Sequence, residues 1–118
     1  MLGPPMTVIE SHAFLVSAER IMSEQARSEL VMFVAANPEA GDIIPETGGV
    51  RKLRWALEGR GKRGGARAIY YFHSGELPVV MLNIFPKNVK PNLSQAERNA
   101  LRKLMPELVR SIQQWRKK

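Results

Sequence analysis

Cysteine is absent from this chain of 118 residues, which removes disulfides and thiolate metal sites and makes a cytoplasmic setting the simplest expectation. Long apolar runs are absent too. The longest, LVMFVAA from Leu30 to Ala36, is far short of the roughly 20 residues a membrane helix requires, so no membrane partner is expected. The opening MLGPPMTVIES has neither the basic start nor the long apolar region of a signal peptide. Histidine is scarce: His12 and His73 are the two, neither has a second ligand at metal spacing, and both are expected at surface or turn positions. The carboxylates Asp42, Glu46, Glu58 and Glu76 fall in loop-like segments without pairing, so an acid pair of the glycosidase or protease kind has little support. No serine sits in a nucleophile-elbow pattern. No metal and no cofactor is expected on this donor set.

What the chain has in excess is positive charge. Lys and Arg number 18 against 11 Asp and Glu, a formal +7, with a pI of about 10.3. Nearly all of the excess lies between Arg51 and Arg67, where Arg51, Lys52, Arg54, Arg60, Lys62, Arg63 and Arg67 face one acid, Glu58. Within that window GRGKRG, Gly59 to Gly64, fits the G-x-G-x-x-G pattern of nucleotide-binding turns. That pattern requires a helix after the glycines and an acid about 20 residues on. Here the strand-like ARAIYYF follows, and the apolar VVMLNIF stands where the acid belongs. The segment reads instead as a turn carrying charge. Clustered cations beside Trp55, Tyr70 and Tyr71 form an electrostatic footprint for a polyanion, because phosphate neutralisation releases condensed counterions. A solvated charged hairpin is the competing reading.

At this length a single domain, residues 1–118, can bury about two-thirds of its unfolded surface without staples. Met6 to Glu10 has strand character. Phe14, Leu15, Ala18, Ile21 and Met22 recur at helical spacing, and a second helix is predicted from Ser23 as N-cap, through Ala26, Leu30, Phe33 and Val34, to Asn37-Pro38. Residues 38–49, PEAGDIIPETGG, read as loop. Three strands follow, Val50 to Leu57, Ala66 to His73 and Leu77 to Phe85, and their short connections predict an antiparallel meander. Alternation puts Leu53, Trp55 and Leu57 on one face, and Lys52 and Arg54 together on the other, pointing away from the core. A last helix is predicted from the capping box Ser94-Gln-Ala-Glu97, with Ala100, Leu101, Leu104, Leu108, Ile112 and Trp115 on its stripe and a kink or break at Pro106.

The chemistry left open is that of a cationic site. RNA supplies its own nucleophile, so a ribonuclease that makes a 2′,3′-cyclic phosphate must align the 2′-OH, stabilise the transition-state charge and manage two protons. Arg and Lys can do much of this. A lysine serves as general base only where neighbouring cations and burial favour its neutral amine, and Arg51, Arg54 and Arg67 crowd Lys52 in that direction. Solvent-facing decoration of a strand is an equal reading of Lys52 and Arg54 on spacing alone. Trp55 and Tyr71 are expected in the core more than as base-stacking platforms.

The order strand, helical hairpin, meander, C-terminal helix resembles the RelE superfamily of toxins from toxin-antitoxin pairs. GDIIPETGGVRKLRWALEGRGKRGGARAIYYFHS, followed by IFPKN and NLSQAERNALRKL, is similar to its HigB-type branch over residues from about 6 to 110. The GGxRKxR, GKRGGxR and IYYF pieces in that order are more specific than any of them alone. The resemblance implies an α+β RelE-like fold, an antiparallel sheet core with an N-terminal helical hairpin and a C-terminal helix packed on it. It also implies a small, basic, metal-independent endoribonuclease that cuts mRNA in the ribosomal A site. Partners implied are the ribosome with mRNA, a cognate helix-turn-helix antitoxin, and operator DNA only through that antitoxin.

Carried over by position, the family's basic pair matches Lys52 and Arg54, its phosphate-contacting arginine Arg67, and its basic position after the last strand Lys87. Asn88, next to Lys87, is expected to contact RNA together with Arg51, Arg60, Lys62 and Arg63. Phe85-Pro86 stands where related chains often have an aromatic hydroxyl and a glycine. That leaves the leaving-group acid without an owner and opens the way to a redirected Lys87. Two rivals share the fold or the charge: a ParE-like poison of DNA gyrase that cuts no RNA, and a non-catalytic basic RNA-binding protein.

Overall fold

The computed structural model describes residues 5–57, 65–89 and 92–117. The elements are β1 (Val8–Glu10), α1 (His12–Ile21), α2 (Glu24–Ala36), β2 (Asp42–Ile43), β3 (Val50–Trp55), β4 (Ala66–Tyr71), β5 (Val79–Pro86) and α3 (Gln95–Lys117). One five-stranded sheet has the order β1-β5-β4-β3-β2. The predicted meander β3-β4-β5 is antiparallel throughout. Two edges differ from the reading above: β1 joins β5 in parallel, and the loop over residues 38–49 contains β2, antiparallel to β3. Among the described residues no helix is long and apolar enough to cross a membrane.

Both faces of the sheet are covered, which explains why every residue of the central strand β4 is buried. Ala66, Ala68 and Tyr70 share one core with Phe14, Ala18, Leu30 and Val34 of the helical hairpin. Ile69 and Tyr71 share a second with Val50 and Met105. The hairpin helices begin where short side chains cap them: Oγ of Ser11 accepts from the Phe14 N–H, and Oγ of Ser23 from that of Ala26. The Ser11 hydroxyl in turn donates to the Leu82 carbonyl at 3.1 Å, tying α1 to β5.

In β5 the register passes from Tyr70↔Met81 to Ile69↔Asn83, leaving Leu82 as an extra residue. This bulge puts Met81 and Ile84, three apart, into the same helical-hairpin core. Alternation alone would have sent them to opposite faces.

At α3 the capping box forms as expected: the Glu97 N–H donates to Oγ of Ser94 (3.1 Å) and the Ser94 N–H to Oε1 of Glu97 (2.8 Å). The helix is one element through Pro106, not split there. Its buried stripe is rotated from the predicted one. Met105 and Ile112 are buried, and Leu101, Leu108 and Val109 are packed on the sheet, whereas Leu104 and Trp115 are exposed. Because 101, 105, 108 and 112 follow the 3.6-residue period, Leu104 falls outside the stripe.

The loop before β2 is held by Tyr70. Its hydroxyl donates to the Pro38 carbonyl and accepts from the Gly41 N–H, each at 2.8 Å. Burial pushes the Tyr70 phenol above its ordinary pKa. A Cβ at Gly41 would lie 2.9 Å from that hydroxyl oxygen and 3.1 Å from the Lys52 carbonyl, so residue 41 has no room for a side chain. The turn from β2 to β3 closes around buried Thr47, whose Oγ1 donates to the Ile44 carbonyl and accepts from the Val50 N–H.

Candidate cationic site

The register of the sheet assembles the site. Arg54 of β3 is directly opposite Arg67 of β4, and Arg67 is directly opposite Phe85 of β5. One row inward, Lys52 is opposite Ile69, which is opposite Asn83. Opposed residues leave the same face of a sheet. Lys52, Arg54 and Arg67 therefore lie on the α3 side, and not on an open solvent face as alternation alone implied. Tyr71, Ile69 and Val50 fill that face under α3, and the cations occupy its rim.

Arg67 is 7% exposed and is, with Thr47, one of two buried polar or charged residues among those described. The guanidinium donates to the neighbouring Ala66 carbonyl at 3.3 Å. Burial first, and the Arg54 charge second, lower its pKa. An arginine stays protonated through such a shift, so the arrangement holds two like charges in register, one of them stripped of water. The ion pairs among the described residues join Arg27 to Glu10 and to Glu24, away from this row. Such a pair is poised to take an anion with two or more oxygens, since a planar guanidinium bonds two at once.

Lys52 is half-buried, and its Nζ donates to Oδ1 of Asn92 at 3.2 Å. Of the cations expected to crowd it, Arg54 shares its face but Arg51 does not. Arg51 lies on the opposite face, where its guanidinium donates to the carbonyls of Glu39 (3.1 Å) and Gly41 (2.8 Å). It therefore helps Tyr70 to hold the loop before β2.

Lys87 is exposed, and its backbone N–H donates to the Gly65 carbonyl at 2.9 Å. That bond extends the β4-β5 pairing one step beyond Ala66↔Pro86. Pro86 does not divert the chain, because the Lys87 N–H points at β4 and the missing one at 86 would point away from it. Lys87 thus stays in register beyond Phe85. Asn88 is exposed in the following turn. Arg60, Lys62 and Arg63 lie outside the described residues.

One residue escaped the sequence reading. Arg98 of α3 lines a cleft of about 400 Å³ together with Asp42, Lys52, Arg54 and Asn92, walled by Ile44 and Leu93. Its Nε is buried without a hydrogen-bond partner. The signal was there: 98 precedes 101 and 105 by three and seven residues, placing it on the sheet-facing stripe. Among the described residues no three His, Asp or Glu side chains converge as metal ligands would.

His12 and His73 are exposed, as expected; His73 Nδ1 lies 3.0 Å from the Tyr71 hydroxyl. Tyr71 is core, and Trp55 is half-buried against Phe33, with ring centroids 5.4 Å apart.

Residues 16–115 match the family profile described as RelE toxin of the RelE / RelB toxin-antitoxin system. A similar solved structure is that of a free-state mutant of the toxin RelE of E. coli. It matches with a TM-score of 0.53 at 14% sequence identity, over 74% of this chain and 88% of that one. At that identity the likeness is one of fold.

Proposed function

Because the chain belongs to the RelE family of toxins from toxin-antitoxin systems, we propose that it cuts mRNA on the ribosome by 2′-OH transesterification and so halts translation. The observation that carries this reading is the Arg54-Arg67 pair, two guanidiniums in register with the inner one buried. A phosphodiester that passes through a dianionic phosphorane supplies the charge that such a pair lacks, and the interaction strengthens as that charge develops. Lys52 handles a proton at the rim, and Lys87 assists from beyond β5. Lys62, Arg63 and Arg60 contact the ribosome or its mRNA, with Asn88 beside them. Arg51 acts through the loop it holds. The partners are a cognate helix-turn-helix antitoxin and the mRNA-programmed ribosome, with operator DNA reached only through the antitoxin. The GGVRKLR and GKRGGAR segments support a HigB-type branch, and a ribosomal target would make its site of action cytoplasmic.

The test is cleavage of mRNA on purified programmed ribosomes, with the product ends identified. A 2′,3′-cyclic phosphate and a 5′-hydroxyl, formed undiminished after zinc- and manganese-selective chelation, are expected. Intact mRNA together with inhibited gyrase supercoiling would replace this reading with that of a gyrase poison. Ribosome binding without cleavage would leave a non-catalytic RNA-binding protein.

A further inference from the structure

We infer that Asp42 and Lys52 are the acid-base pair of the cleavage, the carboxylate serving as base toward the 2′-OH and the ammonium as acid toward the leaving 5′-oxygen. This rests on the ribonuclease reading above. Asp42 is the Cα partner of Lys52 across β2 and β3, so the two side chains leave the same face of the sheet. Both line the cleft that also takes in Arg54 and Arg98, and Asp42 is the one carboxylate among its lining residues.

The two do not form an ion pair. The pairs among the described residues lie at Arg27, and Nζ of Lys52 turns instead to the neutral amide of Asn92. The carboxylate is therefore open to a proton. An anion beside a phosphate site weakens ground-state binding, and that repulsion disappears once the anion takes a proton from the substrate. The gain is thus made in the transition state.

The roles follow from the chemistry of the two groups, since a carboxylate can accept a proton and an ammonium can donate one. The 2′-oxygen bonds to phosphorus as its proton passes to Asp42. The bond from phosphorus to O5′ breaks, and its electron pair takes a proton from Nζ of Lys52. The products are a 2′,3′-cyclic phosphate and a 5′-hydroxyl. Asp42 is left neutral and protonated, and Lys52 a neutral amine, side by side in cross-strand register; return of the proton from Asp42 to Lys52 resets both. The pair also supplies the acid that Phe85 cannot.

The deciding experiment changes the leaving group. Single-turnover cleavage is measured on ribosomes programmed with ordinary mRNA or with mRNA carrying a bridging 5′-phosphorothiolate at the cut, whose thiolate departs without a proton. Asp42→Asn and Lys52→Met are each expected to slow cleavage of ordinary mRNA by about 10²-fold or more. The phosphorothiolate should return Lys52→Met to within a few-fold of wild type and leave Asp42→Asn slow. The same preparation cuts both substrates, so their ratio does not depend on how much of a variant is folded. Asp42→Asn cutting at the wild-type rate, or rescue of Asp42→Asn in place of Lys52→Met, overturns the assignment. A wild-type protein that cuts neither mRNA overturns the ribonuclease reading itself.

Discussion

Arg54 and Arg67 face each other across β3 and β4 as a directly paired couple of like charges, with Arg67 almost wholly buried. Like charges so placed work against the fold by about 0.2–1 kcal/mol. Arg54→Gln is therefore expected to raise the unfolding free energy in denaturant titration by that order while cutting mRNA far more slowly. A variant less stable than wild type would show that the pair is not repulsive in the folded protein.

Arg67→Lys keeps the charge and most of the stem but not the planar fork. It is expected to lower single-turnover cleavage by about 10²-fold while leaving ribosome affinity within a few-fold, as the proposed contact, stronger in the transition state than in the ground state, requires. Wild-type cleavage by a folded variant would remove Arg67 from the mechanism. Loss of folding in a thermal melt would make it structural.

Lys62 and Arg63 lie in the basic segment between β3 and β4. Replacing both with alanine should weaken ribosome binding and flatten its dependence on log[salt] by up to about two units, one for each phosphate that is no longer neutralised. An unchanged slope would place both side chains in solvent.

Tyr70 links stability to alkaline pH. Its folded pKa is raised above the ordinary 10.0, first of all by burial. The unfolded chain thus gives up the phenolic proton at lower pH than the native one, and in that window it binds fewer protons. Stability is then full below about pH 10 and falls as pH rises toward the folded pKa. Tyr70→Phe is expected to cost about 1–3 kcal/mol at neutral pH, by leaving the Pro38 carbonyl and Gly41 N–H without their partner, and to unfold with a shallower alkaline slope. Tyr71, also raised by burial, keeps some slope in the variant. Urea titrations from pH 8 upward compare the two proteins, and identical slopes would exclude Tyr70 as a source.

Where local rules decide, the chain was legible. Ser23 and the Ser94-Glu97 box cap helices as their side-chain chemistry dictates, and alternation put Lys52 and Arg54 on one face. Register was not legible, because the direct opposition of Arg54 and Arg67 depends on how many residues the connecting segment takes up, which no periodicity records. β2 was hidden because two residues show no alternation; β1 was legible as a strand, but not its parallel pairing with β5, which needs no turn signal. Arg98 went unnoticed because the stripe of α3 was drawn through Leu104 and not Met105, which rotates the helix away from the cleft.

The sheet order sets the two halves of the site in different dynamic regimes. Arg67 is on the central strand, bonded on both sides, and Asp42 is on a two-residue edge strand bonded on one. Local opening takes least free energy where fewest hydrogen bonds must break. The edge is therefore expected to open more readily than β4, and on the proposed mechanism a molecule with β2 detached would still grip phosphate but have no base in place. Turnover would then scale with the fraction of time the edge is closed, and Tyr70 and Arg51, which hold the loop before β2 from the far side of the sheet, would set that fraction.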